Sequence, residues 1–209
     1  MTGVNRIVLI VGGIGGETTE AYIYTKIFQK IFPKAKIKLI VLYKLNKYFN
    51  AKEIEVLEIG SIRSLNPIKK LGNLFKWIQV VKSIKKNFNP DLSISLGDPS
   101  NLVNILTQHN EKIYLRFSGS LKFIHLYQDS KLYGFVYRFL YSLVIRFLYN
   151  RRANYITCIN RYAFDDYVKR FGLKPKKSKV IYNPIYLEEI KKLKDEPLGE
   201  YEPIYNYPV

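Results

Sequence analysis

The residues of this chain best suited to chemistry are the glycines of Gly12-Gly13-Ile14-Gly15-Gly16. They stand between the apolar run Arg6–Val11 and a helical pattern. Glycine lets the backbone come close to an anion, and the first turn of a following helix adds free N–H groups and the positive end of its dipole. That is the chemistry of holding a phosphate. A tight turn alone would need only one or two glycines. The spacing excludes two familiar phosphate loops. A G-x-G-x-x-G dinucleotide loop needs a glycine where Thr18 stands and an acidic residue at the end of the second strand, where this chain has Tyr43-Lys44. No Gly-Lys-Ser/Thr follows the run, so it is not a nucleoside-triphosphate loop either.

Further polar residues fall at or just after the ends of other expected strands: Asp98, Asn101, Arg116, Ser118, Asn160 and Arg161. In open α/β sheets the carboxyl ends of the strands border one crevice, so these residues are expected to line it together with the glycine loop. Asp98, Arg116 and Ser118 are the candidates for a catalytic role, although each also has the plain reading of a helix cap or loop residue. No His/Cys group has metal-ligand spacing, and His109 and His125 stand apart from each other. Cys158, the single cysteine, lies in an apolar run with no histidine near it in sequence, which reads as a buried hydrophobe. One cysteine excludes a disulfide framework and fits a reducing, cytoplasmic compartment.

The elements that must position these residues alternate along the chain. Strands are expected at Arg6–Val11, Lys36–Leu42, Ile54–Ile59, Asp91–Leu96, Lys112–Phe117, Tyr155–Ile159 and Lys179–Tyr182, several with consecutive apolar residues, as in parallel strands covered on both faces. The first helix follows the glycines, with Thr18 or Thr19 as N-cap and Ala21, Ile23, Ile27 and Ile31 toward the core. The second runs from about Ile68 to Phe88 with Leu71, Leu74, Phe75, Ile78, Val81 and Ile84 at helical spacing, and stops before Asn89-Pro90. A third opens with Pro99 at its first position. A fourth spans Lys131–Arg151 with Leu132, Phe135, Val136, Phe139, Leu143 and Phe147 on one face, and a fifth spans Tyr162–Phe171, closed by Gly172. Repeated β–α units predict an α/β fold: a single Rossmann-like, doubly wound domain with a mostly parallel sheet of about seven strands. The domain is expected over 1–186, with 187–209 a short charged helix and a Pro/Tyr-rich linker.

The charge is strongly positive: 34 Lys and Arg against 17 Asp and Glu, a formal +17 over 209 residues. An anionic partner follows, whether a phosphorylated substrate, acidic lipid or nucleic acid. A basic nucleic-acid binder is one alternative function, but the cations are spread along the chain and no RNP, KH or zinc-finger pattern is present. An anionic-membrane-surface module is another, because Leu65–Lys86 and Lys131–Arg152 mix large apolar residues with cations. A spanning helix over Leu132–Tyr149 is rejected, since Arg138 and Arg146 lie inside it.

Several segments, in order, resemble the N-terminal half of glycosyltransferase family 4, whose members have the two-domain GT-B architecture. Gly12-Gly13-Ile14-Gly15-Gly16-Glu17 is similar to the family's opening loop, and Asn89-Pro90-Asp91-Leu92-Ser93-Ile94-Ser95 to its "kPDvvis" strand. Ala153 to Asn160 resembles its "ad.iiavS" strand. Phe171-Gly172-Leu173 through Lys179-Val180-Ile181-Tyr182-Asn183-Pro184-Ile185 resembles the segment that closes the N-terminal domain, which adds Asn183 to the cleft candidates. The resemblance implies retaining transfer of a hexose-type sugar from a nucleotide-diphosphate sugar to a lipid-linked, glycan or protein acceptor, without a further cofactor or a metal. It implies that the acceptor binds this domain, that Gly15 and Gly16 face the donor diphosphate, and that most donor contacts come from a C-terminal GT-B domain in cis or in trans. It also implies a cytoplasmic enzyme, peripheral on the inner face of the membrane. The chain departs from the family at Ser118, where members often carry a histidine. It also lacks the C-terminal domain's phosphate-binding cations and E-x7-E motif, so residues 1–209 alone are expected to be inactive.

Overall fold

Seven parallel strands set the frame: β1 (Arg6–Val11), β2 (Lys36–Tyr43), β3 (Glu55–Ser61), β4 (Leu92–Leu96), β5 (Lys112–Phe117), β6 (Tyr155–Cys158) and β7 (Ser178–Val180). They form one sheet in the order β3-β2-β1-β4-β5-β6-β7, a single Rossmann-like α/β domain. The computed structural model describes residues 3–13, 16–44, 55–61, 66–119 and 139–183. Gly15, His125, the 131–138 part of the fourth helix and the expected linker at 187–209 lie outside them.

The consecutive apolar residues of β1 are buried from Ile7 to Val11 because both sheet faces are covered, each side chain contributing roughly 1.5–3 kcal/mol. The registers sort the strands into two faces. Ile7, Leu9 and Val11 pair with Leu92, Ile94 and Leu96 and pack under α1 (Gly16–Ile31), with Tyr24, Phe28 and Phe32 against them. Val8 and Ile10 point the other way, toward α2 (Pro67–Phe88) and α3 (Ser100–Leu106). Ile113, Leu115, Phe117, Ile156 and Cys158 on that same face pack against α4 (139–152) and α5 (Arg161–Phe171). Trp77 ties α2 to the sheet by donating from Nε1 to the Ser61 hydroxyl at 2.9 Å and the Leu42 carbonyl at 3.2 Å.

Helix ends follow local chemistry. Asn66 caps α2 by accepting from the Ile68 N–H at 2.9 Å, and Asn89 closes it in the left-handed region. Asn160 caps α5 through the Ala163 N–H, and Gly172, at φ 72°, ends it. Four expectations need correction. Helix α1 already begins at Gly16, so Thr18 and Thr19 lie inside its first turn. Its inner face is Ala21, Tyr24, Thr25 and Phe28 rather than Ile23, Ile27 and Ile31, with Ile31 exposed. Those residues recur at i, i+3, i+4 and i+7, and the stacked rings of Tyr24 and Phe28, 5.9 Å apart, fill the space over the sheet better than the isoleucines one residue away. In α4, Tyr141, Ile145 and Tyr149 face the core while Phe139 and Phe147 face outward. The turn Val144–Tyr149 is a π-helix, whose wider winding keeps residues four apart in line. Pro99 sits at the cap of α3, one position before its first residue.

One buried polar group lies at the opposite edge of the sheet from the glycines. Lys85 of α2 donates to Glu111 at 2.7 Å, to Asn104 Oδ1 at 2.7 Å and to Ser93 at 3.3 Å, and the Lys85–Glu111 pair is shielded from solvent. Burial pushes Lys85 down to about 8, with Glu111 pulling it back up. Every member is hydrogen-bonded, which is what makes a buried ion pair tolerable.

Candidate functional site

The strand order reverses between β1 and β4, and the crevice that such a switch point defines at the carboxyl edge is the usual ligand position in open α/β sheets. Each of the two strands is followed there by a glycine, Gly12 after Val11 and Gly97 after Leu96. At Gly97, φ is 71° and a Cβ would overlap the Glu17 carboxylate and come within 2.9 Å of the Ser118 hydroxyl. At Gly12 a Cβ would stand 2.9 Å from Glu17 Oε2, and at Gly13, with φ 100°, it would run into Val41. Gly12 and Gly97 therefore leave room for one side chain, Glu17, in the first turn of α1.

Glu17 accepts a hydrogen bond from the Ser118 hydroxyl at 3.3 Å and another from the Gly12 backbone. Burial pushes its carboxyl up to about 7. Those two hydrogen bonds pull it down, and the carboxyls of Asp98 and Glu20 push it further up. Asp98 is pushed up to about 6, again by burial, against the hydroxyls of Tyr141 and Tyr149, with Tyr141 donating to its Oδ2. The crevice therefore holds a carboxyl that changes charge near neutrality beside the exposed hydroxyl of Ser118. Such a pair accepts hydrogen bonds from the hydroxyl groups of a ligand and can take up a proton. When ionised, it repels a phosphate at the Gly12 end of the loop.

The other nominated residues are placed as follows. Gly12 and Gly13 are buried at the crevice, the Gly12 backbone already engaged by Glu17; Gly16 opens α1 with nothing within 4 Å of a Cβ. Asn101 is fully buried, accepting from Ser95 at 2.7 Å and donating to the Arg116 carbonyl at 3.0 Å. Arg116 lies beneath α1, paired with Glu20, donating to the Ile181 carbonyl at 2.9 Å and to Asn183 Oδ1 at 2.6 Å. There it borders an apolar cavity of about 230 Å³ shared with Tyr24, Phe28 and Tyr114. Asn160 is the α5 cap, and Arg161 is exposed and pairs with Asp165 at 3.2 Å. The crevice thus brings together Gly12, Gly13, Ser118 and the Asp98 carboxyl, while Asn101, Arg116, Asn160 and Asn183 have partners that hold the fold. Glu17 was not nominated from the sequence. The available signal was an acidic residue directly after a glycine run at a strand-to-helix junction.

No protein-family model matches the chain, and no curated protein sequence matches it. Solved structures do. A sucrose-phosphate synthase from Thermosynechococcus elongatus superposes with a TM-score of 0.64 at 13% identity, over 98% of this chain and 53% of that one. A UDP-N-acetylglucosamine 2-epimerase from Rickettsia bellii gives 0.63 at 16% identity, over 99% and 52%. The apo form of the lipopolysaccharide outer core galactosyltransferase WaaB gives 0.61 at 19% identity, over 86% and 46%. What is shared is the fold. The chain spans about half the length of each of these proteins. These proteins are named for different reactions, so the fold alone does not select one. Among the described residues no group of His, Cys, Asp and Glu could hold a metal ion.

Proposed function

We propose that this chain is the acceptor-side, N-terminal half of a nucleotide-sugar-dependent glycosyltransferase of GT-B architecture, resembling family 4 and transferring its sugar with retention. The observation that carries the reading is the switch-point crevice, where Gly12 and Gly97 leave room for the Glu17 carboxyl beside the Ser118 hydroxyl. A carboxylate and a hydroxyl at this edge suit the hydroxyl groups of a sugar or polyol better than a second anion. The fold likeness to a galactosyltransferase, a sucrose-phosphate synthase and a UDP-N-acetylglucosamine 2-epimerase supports nucleotide-sugar chemistry. In this reading Glu17 and Ser118 orient the acceptor hydroxyl, and Gly15 and Gly16 face the donor diphosphate. The domain occupies 1–186, and 187–209 leads toward a second domain that supplies most donor contacts.

The test is calorimetry of residues 1–209 with nucleotide-diphosphate sugars, paired with a transfer assay on glycan and lipid acceptors. A few charge-assisted hydrogen bonds at roughly 1.5–3 kcal/mol each, set against association costs, give about millimolar donor binding and no transfer by this chain alone. Adding a C-terminal GT-B domain should restore both. Micromolar donor binding by residues 1–209 alone, or transfer that does not depend on Glu17, would overturn the reading.

A further inference from the structure

We propose that the amino edge of the sheet, opposite the crevice, is a docking surface for single-stranded nucleic acid. All seven strands are parallel, so each α-helix runs back and ends beside the strand starts. Cations that are scattered along the sequence are gathered by this alternation at one edge.

Lys30, Lys86, Arg151, Arg152 and Lys169 lie in the last turns of helices, where the negative end of the helix dipole accounts for them. The dipoles do not account for Lys34, Lys36, Lys112, Lys174 and Lys176. These stand outside the α-helices, at or just before the starts of β2, β5 and β7. All ten are exposed and take part in none of the ion pairs among the described residues. The carboxylates nearby are already engaged. Glu55 pairs with Lys38, Glu111 with Lys85 and Asp166 with Arg170, while Asp91 accepts from the Asn5 and Arg6 N–H groups. Arg6 also stands opposite Lys36 in the β1–β2 register. Like charges so placed on neighbouring strands cost stability, which an outside anion would relieve.

The cations follow a line. Lys36 on β2 and Lys176 beside β7 are five strand spacings apart, roughly 24 Å. An aromatic ring stands within that line. Tyr155, the first residue of β6, is 54% exposed and stacks on Tyr114 at 5.3 Å. Lys112 precedes Tyr114 by two residues on β5 and so shares its face of the sheet. Cations that track a phosphate backbone, beside a ring on which a base stacks, are what single strands bind without sequence preference. A lipid surface suits this edge less well. Its exposed large apolar residues, Ile31, Leu106 and Tyr155, lie on opposite faces of the sheet and on β6, too scattered to enter acyl chains together.

This inference does not rest on the transfer reading, because binding is measured without donor or acceptor. The test is fluorescence anisotropy of residues 1–209 with a labelled oligothymidylate of about 20 nucleotides. With about four phosphates neutralised, the association constant should fall roughly fiftyfold between about 50 and 200 mM salt. The variant K36Q/K112Q/K176Q should melt like the parent, bind at least about tenfold more weakly at the lower salt and show a shallower salt slope. The variant K44Q/K69Q/K70Q removes the same charge from the crevice edge and should bind like the parent. Tyr155→Leu, at an unchanged melting temperature, should weaken binding about fivefold or more. No binding by the parent, or equal weakening by the two triple variants, would overturn the proposal. So would binding that Tyr155→Leu leaves unchanged, or binding to phosphatidylglycerol vesicles in place of oligothymidylate.

Discussion

Replacing Glu17 by glutamine should make the protein more stable, by a margin that opens above about pH 4.5 and is complete by about pH 7. The carboxyl is pushed from 4.5 up to about 7 in the folded chain, chiefly by burial. The folded state therefore binds this proton more tightly than the unfolded state does. Its stabilising contribution is complete below pH 4.5 and is lost as pH rises through about 7. That gap corresponds to at most roughly 3 kcal/mol, which solvent reaching the half-buried carboxyl lowers to roughly 2 kcal/mol. Glutamine keeps an oxygen for the Ser118 hydroxyl and the Gly12 backbone but never ionises. Thermal melts of wild type and E17Q should nearly coincide at pH 4, below the unfolded value of 4.5. At pH 8 the variant should melt about 4–8 °C higher, taking about 2–4 °C per kcal/mol for a domain of this size. Asp98 titrates in both proteins, so its contribution largely cancels in the difference. If the two melting temperatures differ by the same amount at pH 4 and pH 8, or E17Q is the less stable at pH 8, the account of Glu17 is wrong. A residue that costs stability where it stands is one that function would have to retain.

Three further outcomes follow from the packing. Glu111→Gln leaves the Lys85 ammonium buried without its counter-charge and should cost about 3–5 kcal/mol in denaturant unfolding, whereas the double variant K85M/E111L should lose much less. Gly97→Ala should destabilise by about 1–3 kcal/mol, through its left-handed backbone and its collision with Glu17, while Gly16→Ala, with open space around it, should be neutral within about 0.5 kcal/mol. Cys158 is buried and pushed up to about 12, so a thiol-disulfide reagent should label it only after denaturant is added, and rapid labelling of the native chain would contradict its placement.

Much of the fold was legible because a strand buried on both faces needs no periodicity to be recognised. Ile7 to Val11 and Leu39 to Leu42 are apolar at consecutive positions, and the structure buries them all. The helix faces were less legible. In α1, isoleucines at 23, 27 and 31 compete with aromatics at 24, 28 and 32 for the same sheet, and only the shape of the sheet decides between them. In α4 the π turn alters the periodicity itself, and nothing in Val144–Tyr149 announces it. At the site, the glycine run was visible as a strand-to-helix junction. The role of Glu17 was not, because the Ser118 hydroxyl that it accepts from is 101 residues away. Arg116 was drawn toward the crevice by its place near a strand end. Its alternation in β5 instead turns it beneath α1, where Glu20 meets it from 96 residues away.

The neighbours of β1 come from unequal distances along the chain. Its β2 side closes through α1, but its β4 side closes only when Asp91 reaches the Arg6 N–H across 85 residues. The entropy of closing so long a loop must be met before that pairing returns anything, and sheets dominated by such distant contacts assemble slowly. During synthesis, β1 and α1 would emerge with one edge of β1 uncovered until β4 has followed. Occupancy of the crevice would then register the completed joining of the two halves of the sheet, and a ligand that binds there would draw the chain toward its finished topology.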